Sequence, residues 1–391
     1  MPPRLDTAEN SGHRCIVFVQ HGDFRETCQR FAQGLPETYY AQRHSVEFVC
    51  NLCDDKTDVV VICLKTDPYD ERLPNGVRTI GCRIYRDTSP RDLAERIARL
   101  EPTHVVLRTP IAAVLAWCLQ NQVQVLPILA DSFRQRGVGP WFRNRRLVQL
   151  LNHPAIPLVA NHNVPATESL AAIGVSPTKL AAWDWPHRVT PQDFPPKQGL
   201  SPGDKVTLLF VGAVSEAKGV GDCVRAMPAI VRARPNTRLD IVGQGDVAPF
   251  RRLADQLRVE SQVEFVGRLP NTEIVPRMRA SDIVLVPSRH SYPEGIPMTI
   301  YEALSARTPI VMSDHPMFAS RFRDSENAMV FSAGDSTSLS EKAIRLSSDP
   351  VLYAKISANA AAAWESLQCQ FEWSGLVRRF LSIADPHPVV A

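Results

Sequence analysis

No run of eighteen apolar residues occurs in this chain; the nearest candidate, Val105 to Leu119, is broken by Arg108 and Pro110. A membrane-spanning helix is therefore not expected. The first residues, Met1 to Arg14, are polar and offer no apolar segment of the kind a secretory signal needs. Charge of one sign is scarce too. A net charge of +3 argues against nucleic acid as the partner. Metal-ligand patterns are missing. Cys50 and Cys53 form one C-x-x-C without a second pair, and His153, His162, His187 and His315 show no ligand spacing. No metal site is expected. The nine cysteines are odd in number, and Cys15, Cys63 and Cys118 lie inside apolar runs. They read as buried free thiols in a reducing, cytoplasmic setting.

What is present is an ordinary globular composition over 391 residues, 44% of them apolar. That length exceeds one ordinary core and suits two domains. Short, nearly continuous apolar runs recur at Cys15–Gln20, Val59–Leu64, His104–Thr109, Val123–Ala130 and Ile156–Ala160. They return at Val206–Gly212, Arg238–Gly243, Val263–Gly267, Ile283–Pro287 and Pro309–Met312. Runs of this kind are strands buried on both faces of a parallel sheet. Helical patterns alternate with them. The clearest places Val220, Cys223, Val224, Met227, Ile230 and Val231 on one face, with Pro228 expected to kink it. The prediction is α/β: two Rossmann-like, doubly wound parallel-sheet domains with a cleft between them. Arg188 to Asp204 holds four prolines and two glycines, a linker composition. The expected divisions are residues 1–187, a linker 188–204, a second domain 205–370 and a terminal segment 371–391. In that last segment Phe371, Trp373, Leu376, Val377, Phe380 and Leu381 suggest an amphipathic helix. It packs either on its own domain or back on the first.

Open α/β sheets bind ligands beyond the carboxyl ends of their strands. Past Val206–Val211 comes Gly212-Ala213-Val214-Ser215-Glu216-Ala217-Lys218-Gly219. A small-residue turn, a lysine and a helix start suit a phosphate, although a plain βα turn with a surface lysine reads the same way. Past Ile283–Val286 comes Pro287-Ser288-Arg289-His290, then Pro293-Glu294-Gly295-Ile296-Pro297-Met298-Thr299-Ile300-Tyr301-Glu302. Pro297 marks a helix start. The amides of Met298 and Thr299 are then free to hold a diphosphate. A carboxylate at Glu302 or Glu294 can accept from adjacent sugar hydroxyls. The competing reading makes Glu294 a helix-start acid and Glu302 a solvated face residue.

The segment Glu294–Glu302 resembles the E-x7-E motif of retaining glycosyltransferases of the GT-B fold, family 4 (glycosyl transferases group 1). The resemblance extends over Asp240-Ile241-Val242-Gly243-Gln244-Gly245, Phe265-Val266-Gly267-Arg268, Ala280–Ser288 and Thr308-Pro309-Ile310-Val311, in the family's order from Val206 to Asp335. The N-terminal half shares only the strand-helix rhythm. The resemblance implies a hexosyltransferase that needs no metal and moves a sugar from a UDP, GDP or dTDP donor, with no other cofactor. The acceptor is a glycan, a lipid-linked molecule or a small molecule. Glu294 and Lys218 are the implied catalytic residues, Lys218 neutralising the leaving diphosphate and Glu294 meeting the donor sugar. Glu302 would hold the ribose, and the backbone of Arg268 and Leu269 would flank the base. Gly212, Ser215, Gly243, Ser288, Arg289, Gly295, Ile296, Pro297, Met298 and Thr299 complete the implied donor site. The sequence departs from the family at Ala213, where an arginine is common; Arg289 or Arg268 is the candidate substitute.

Acceptor candidates follow the strands of the first half: His21, Gly22 and Asp23, then Arg108 and Thr109, then Asp131. Each could instead cap a helix or lie on the surface. Arg134, Arg136, Arg143, Arg145 and Arg146 accompany Phe133, Trp141 and Phe142. That stretch, Phe133–Arg146, suits peripheral membrane contact, an acceptor-phosphate site or a solvated loop. Two other functions remain open: a sugar-nucleotide-binding pseudoenzyme and a GT-B epimerase. Gly243-Gln244-Gly245-Asp246-Val247-Ala248 matches a dinucleotide fingerprint, but it follows the second strand of its domain rather than the first.

Overall fold

The computed structural model describes residues 13–84, 86, 88–133, 138–201 and 203–382, with backbone alone for 138–143. Of the segment Phe133–Arg146, residues 134–137 thus lie outside the described residues, and 138–143 are described in backbone alone. The first half contains strands β1 (Arg14–Gln20), β2 (Thr57–Cys63), β3 (Lys65–Arg72), β4 (Arg78–Arg83), β5 (His104–Leu107), β6 (Gln124–Leu129), β7 (Val159–His162) and β8 (Leu180–Asp184). Helices α1 (Phe24–Ala32), α2 (Gln42–Cys50), α3 (Pro90–Ala98), α4 (Ala112–Gln120), α5 (Val138–Leu151) and α6 (Val164–Ala172) connect them. The second half contains β9 (Val206–Val211), β10 (Thr237–Val242), β11 (Val263–Gly267), β12 (Ile283–Val286), β13 (Ile310–Ser313), β14 (Met329–Phe331) and β15 (Phe371–Glu372). Its helices are α7 (Val220–Ala233), α8 (Ala248–Gln256), α9 (Asn271–Ala280), α10 (Met298–Ser305), α11 (Ser336–Ser348), α12 (Pro350–Ser366) and α13 (Trp373–Phe380).

The strands form two sheets, ordered β15-β8-β7-β6-β5-β1-β2-β4-β3 and β11-β10-β9-β12-β13-β14. All described pairings are parallel except β3 with β4. The continuous apolar runs have a direct cause. Ile16 and Phe18 of β1 enter one core, and Val17 and Val19 enter another on the opposite face. β9 divides likewise, with Leu208 and Phe210 on one side and Leu209 on the other. A strand clad by helices on both faces has no polar side to alternate.

Strands β4, β8, β14 and β15 coincide with none of the expected runs, and three further features differ from the apolar pattern. β3 (Lys-Thr-Asp-Pro-Tyr-Asp-Glu-Arg) is an exposed edge strand with a proline inside it, where charge and proline guard against edge pairing. The last strand of the apolar run near Ile156 begins later, at Val159. Helix α7 continues through Pro228 to Ala233.

The proline-rich segment 188–204 is laid along the second domain rather than hanging free. Ser305 Oγ donates to the Val189 carbonyl at 3.0 Å, and the Lys197 amide donates to Ser357 Oγ at 2.7 Å. Val189 and Phe194 pack against the core of that domain. The chain then returns to the first domain. β15 pairs with β8, and Trp373 is 1% exposed, packed against Phe18, Phe48 and Trp185. Among the described residues no helix is long and apolar enough to cross a membrane.

Candidate donor site at the inter-domain cleft

The second sheet reverses direction between β9 and β12: the chain builds β9, β10 and β11 outward on one side, then β12, β13 and β14 on the other. The crevice beyond the ends of β9 and β12 is its topological switch point, where such sheets bind ligands. A cavity of about 470 Å³ lies there. Gly212, Ala213, Gly243, Arg268, Leu269, Met298 and Glu302 supply its second-domain wall. Thr38, Tyr39, Tyr40 and Trp185 come from the first-domain side, and Asn271 and Gln244 complete the lining. Those first-domain residues sit in loops without motif, so no sequence pattern singles them out.

The two turns of this wall touch. Gly212 has φ +155°, Gly243 has φ +147°, and the Gly212 amide donates to the Val242 carbonyl at 3.0 Å. A Cβ on Gly243 would be driven into the Gly212 carbonyl oxygen. Gly243→Ala is therefore expected to destabilise the protein by at least about 2 kcal/mol, read from its urea midpoint. An unchanged midpoint would contradict the close approach.

Lys218 and Glu294, 76 residues apart, form an ion pair, with side chains only 13% and 9% exposed. The Lys218 ammonium also lies 4.7 Å from the centroid of the Tyr292 ring. The Lys218 amide donates to Ser215 Oγ at 3.2 Å, which fixes the turn that carries the lysine. α10 starts at Met298, with Pro297 in extended conformation before it. No side chain caps this helix, which leaves the first amides to meet an anion. Thr299 Oγ1 donates to the Val211 carbonyl at 3.3 Å and ties the helix start to β9. Glu302 lies one turn deeper and is 6% exposed. Asn271 Nδ2 donates to its Oε1 at 2.9 Å. Burial raises the Glu302 pKa to about 7, against the opposing effect of the Asn271 hydrogen bond. A solvated face residue would show none of this, so that reading of Glu302 fails.

Other residues take different places. Ser288 is buried beneath the site, its carbonyl accepting from Ser313 Oγ at 2.6 Å. Ile296 belongs to the core. A Cβ on Gly295 would come 3.0 Å from Nδ2 of Asn163, a first-domain residue, so this loop also abuts the opposite domain. Arg289 is the clearest departure from expectation. It bonds Asp222 at 2.9 and 2.6 Å and Glu216 at 2.7 Å, and it does not line the cavity. The fold pairs it with Asp222, which is 1% exposed, and with Glu216; Lys218 and Glu294 likewise are not among the residues lining the cavity. Arg268 does line the cavity; its guanidinium reaches Gln244 Oε1 at 3.4 Å and the Thr38 carbonyl at 3.3 Å. That second bond and the Asn271 amide donating to the Glu37 carbonyl at 3.3 Å join the domains over the site.

Of the first-domain candidates, His21 and Gly22 are exposed beyond β1. Asp23 caps α1: its Oδ1 accepts from the Glu26 amide at 3.1 Å and from Tyr69 hydroxyl at 3.0 Å. Asp131 follows β6, held by paired backbone contacts with Asn161, and burial raises its pKa. Arg108 follows β5 and lies 5.4 Å from the rings of Trp185 and Trp373.

Two Rossmann-like domains, the second in the order 3-2-1-4-5-6, enclose a cleft at their strand ends, and this is the GT-B architecture. Residues 191–363 match the family model of glycosyl transferases group 1. This part of the chain is similar to members of that family. The chain is 30% identical over 178 residues to a phosphatidyl-myo-inositol mannosyltransferase of Mycobacterium leprae, a match covering 45% of this chain and 46% of that protein. It is 31% identical over 169 residues to a glycogen synthase of Mycobacterium tuberculosis, covering 42% and 39%. The chain thus spans less than half the length of these curated relatives. Among solved structures, HepE of Anabaena, crystallised with UDP, superposes with a TM-score of 0.65 at 16% identity, covering 94% of this chain and 98% of that one. Sucrose-phosphate synthase of Thermosynechococcus elongatus gives 0.63 at 18% identity, covering 95% and 98%. At those identities the likeness is one of fold.

Proposed function

We propose that the protein is a retaining glycosyltransferase that moves a hexose from a nucleoside diphosphate to an acceptor held by the first domain, without a metal ion. The observation that carries this reading is the Lys218–Glu294 pair set before the uncapped start of α10, with Glu302 buried behind it. Breaking the bond between sugar and diphosphate builds negative charge on the leaving phosphates. Lys218 and the Met298 and Thr299 amides supply positive charge and dipole where that charge grows. Glu294, beside the ammonium, is placed to meet the sugar. Glu302 accepts from the two ribose hydroxyls, and the backbone at Arg268 and Leu269 flanks the base. Binding on the second domain leaves the acceptor to enter from the first, and closure of the cleft excludes water. UDP is the first base to test, because a protein of this fold was crystallised with it.

A thermal-shift series with UDP, GDP, dTDP, ADP and CMP, free of metal, tests the donor site. One nucleoside diphosphate at millimolar concentration is expected to raise the melting temperature by a few degrees. That rise should vanish in Lys218→Ala and in Glu302→Ala. A rise from no nucleotide, or one that survives both substitutions, removes the donor-site assignment.

A further inference from the structure

The first sheet has a switch point of its own. The chain leaves β1 for β2 on one side and later returns to β5 on the other. His21 lies just past the end of β1 and Arg108 just past the end of β5. Lys65 lies just past β2, on the other flank of β1. Their alignment is fixed by the sheet. The Arg108 amide donates to the Val19 carbonyl at 3.0 Å, and the Leu64 amide donates to the Gln20 carbonyl at 2.8 Å.

Arg108 and Lys65 bring positive charge to this crevice, and His21 stands beside them. Arg108 is half-buried, its guanidinium 5.4 Å from the ring centroids of both Trp185 and Trp373. Its side chain donates to a neutral group, Gln20 Oε1, at 3.3 Å. Among the described residues neither Arg108 nor Lys65 forms an ion pair. Partial desolvation of its ring, then the charges of Lys65 and Arg108, hold the surface-exposed His21 below the usual histidine range. Among the described residues neither nearby carboxylate forms an ion pair with Arg108 or Lys65, and Asp23 pairs with Arg25. Asp23 is engaged as the cap of α1 and by Tyr69. Burial disfavours ionisation of Asp131 even with Lys65 in reach. A desolvated guanidinium without a countercharge is a costly arrangement that an incoming anion would relieve. Arg289 shows the contrast, since its carboxylates are built in. The locus also adjoins the donor cavity, because Trp185 and Tyr39 line that cavity while Trp185 packs beside Arg108.

We propose that the acceptor carries a phosphate group, seated at the β1–β5 crevice on Arg108 and Lys65 with His21 beside it. This rests on the glycosyltransferase reading above and names the acceptor class. Guanidinium suits phosphate through paired N–H donors. Once phosphate is bound, its charge favours the imidazolium form of His21.

The test is an NMR titration of the His21 ring, with and without inorganic phosphate, on wild type, Lys218→Ala, Arg108→Gln, Arg108→Lys and Lys65→Gln. Phosphate is expected to move the His21 titration to higher pH in wild type and in Lys218→Ala, whose donor site is disabled. Its affinity should fall about tenfold or more in Arg108→Gln and less in Lys65→Gln, and Arg108→Lys should regain part of it. A His21 titration that phosphate does not move overturns the proposal. So does binding lost in Lys218→Ala but kept in Arg108→Gln, or binding that Arg108→Lys does not restore. Two further arms, hexose 6-phosphate and phosphatidylglycerol vesicles, separate a soluble phosphate ester from a lipid headgroup; failure of both to compete with phosphate also counts against it. Nucleoside-diphosphate stabilisation is measured on the same Arg108→Gln protein. Its persistence shows that any loss lies in the acceptor site, whereas its absence in wild type strikes the donor reading instead.

Discussion

Lys218→Ala lowers the rate of sugar transfer by roughly 100- to 1000-fold, the range expected when one preorganised group facing transition-state charge is removed. The ammonium is only 13% exposed and is paired with Glu294, so water screens it weakly and its charge acts on a diphosphate at short range. Two effects add in the same direction. The leaving phosphates lose their cation, and Glu294, 9% exposed, is left as an uncompensated carboxylate that repels them. Both kcat and nucleotide affinity fall for that reason. Lys218→Arg retains charge but not the compact shape that fits beside Tyr292, so it recovers part of the rate. Steady-state kinetics with the donor chosen from the thermal-shift series checks this. A variant within threefold of wild type would falsify the role given to Lys218.

The second large effect concerns Glu302 and pH. Its carboxyl is buried, and burial raises its pKa from 4.5 to about 7 in the donor-free protein. Between those two values the folded state keeps a proton that the unfolded state has released. Stability therefore falls as pH rises through that window and levels off above it. A displacement of that size corresponds to on the order of 3 kcal/mol at pH 8. Glu302→Gln keeps an oxygen to accept from Asn271 and carries no charge. Without donor it melts higher than wild type at pH 8 and about equally at pH 4. Donor binding goes the opposite way. Two ribose hydroxyls donate to an ionised carboxylate, so affinity in wild type climbs with pH through about 7 and binding releases up to about one proton. Calorimetry in buffers of differing ionisation heat measures that proton. In Glu302→Gln the release disappears and affinity drops about tenfold or more. Equal melting of the two proteins at pH 8, or a pH-independent donor affinity, would mean that Glu302 is neither strained when ionised nor the ribose contact.

The second domain was the more legible half. Strands β9 to β13 lie within a residue or two of the apolar runs; β9, β10, β12 and β13 are buried on both faces, and the edge strand β11 is only partly buried. Glu294 and Glu302 were legible as carboxylates at a helix start because a proline fixes where α10 begins. β3 was not legible: a charged edge strand hides nothing from water and follows no apolar period. Tyr39, Tyr40 and Trp185 were missed for another reason. Nothing in their neighbours in sequence distinguishes a loop that lines a cleft from one that faces solvent.

The sequence by itself determined the strands β1, β2, β5, β6, β7 and β9 to β13, where the small-residue turns fall, and which charged residues stand at strand ends. Those are local properties of spacing, turn chemistry and one- or two-sided burial. Only the tertiary structure decided how the charges pair. It set Lys218 against Glu294 and enclosed Glu302 with Asn271. It bound Arg289 to Asp222, 67 residues away, and left Arg108 with an amide and two tryptophans. Electrostatic partnership depends on distance and burial in space, and positions dozens of residues apart acquire both only when the helices pack onto the sheets and the two domains meet.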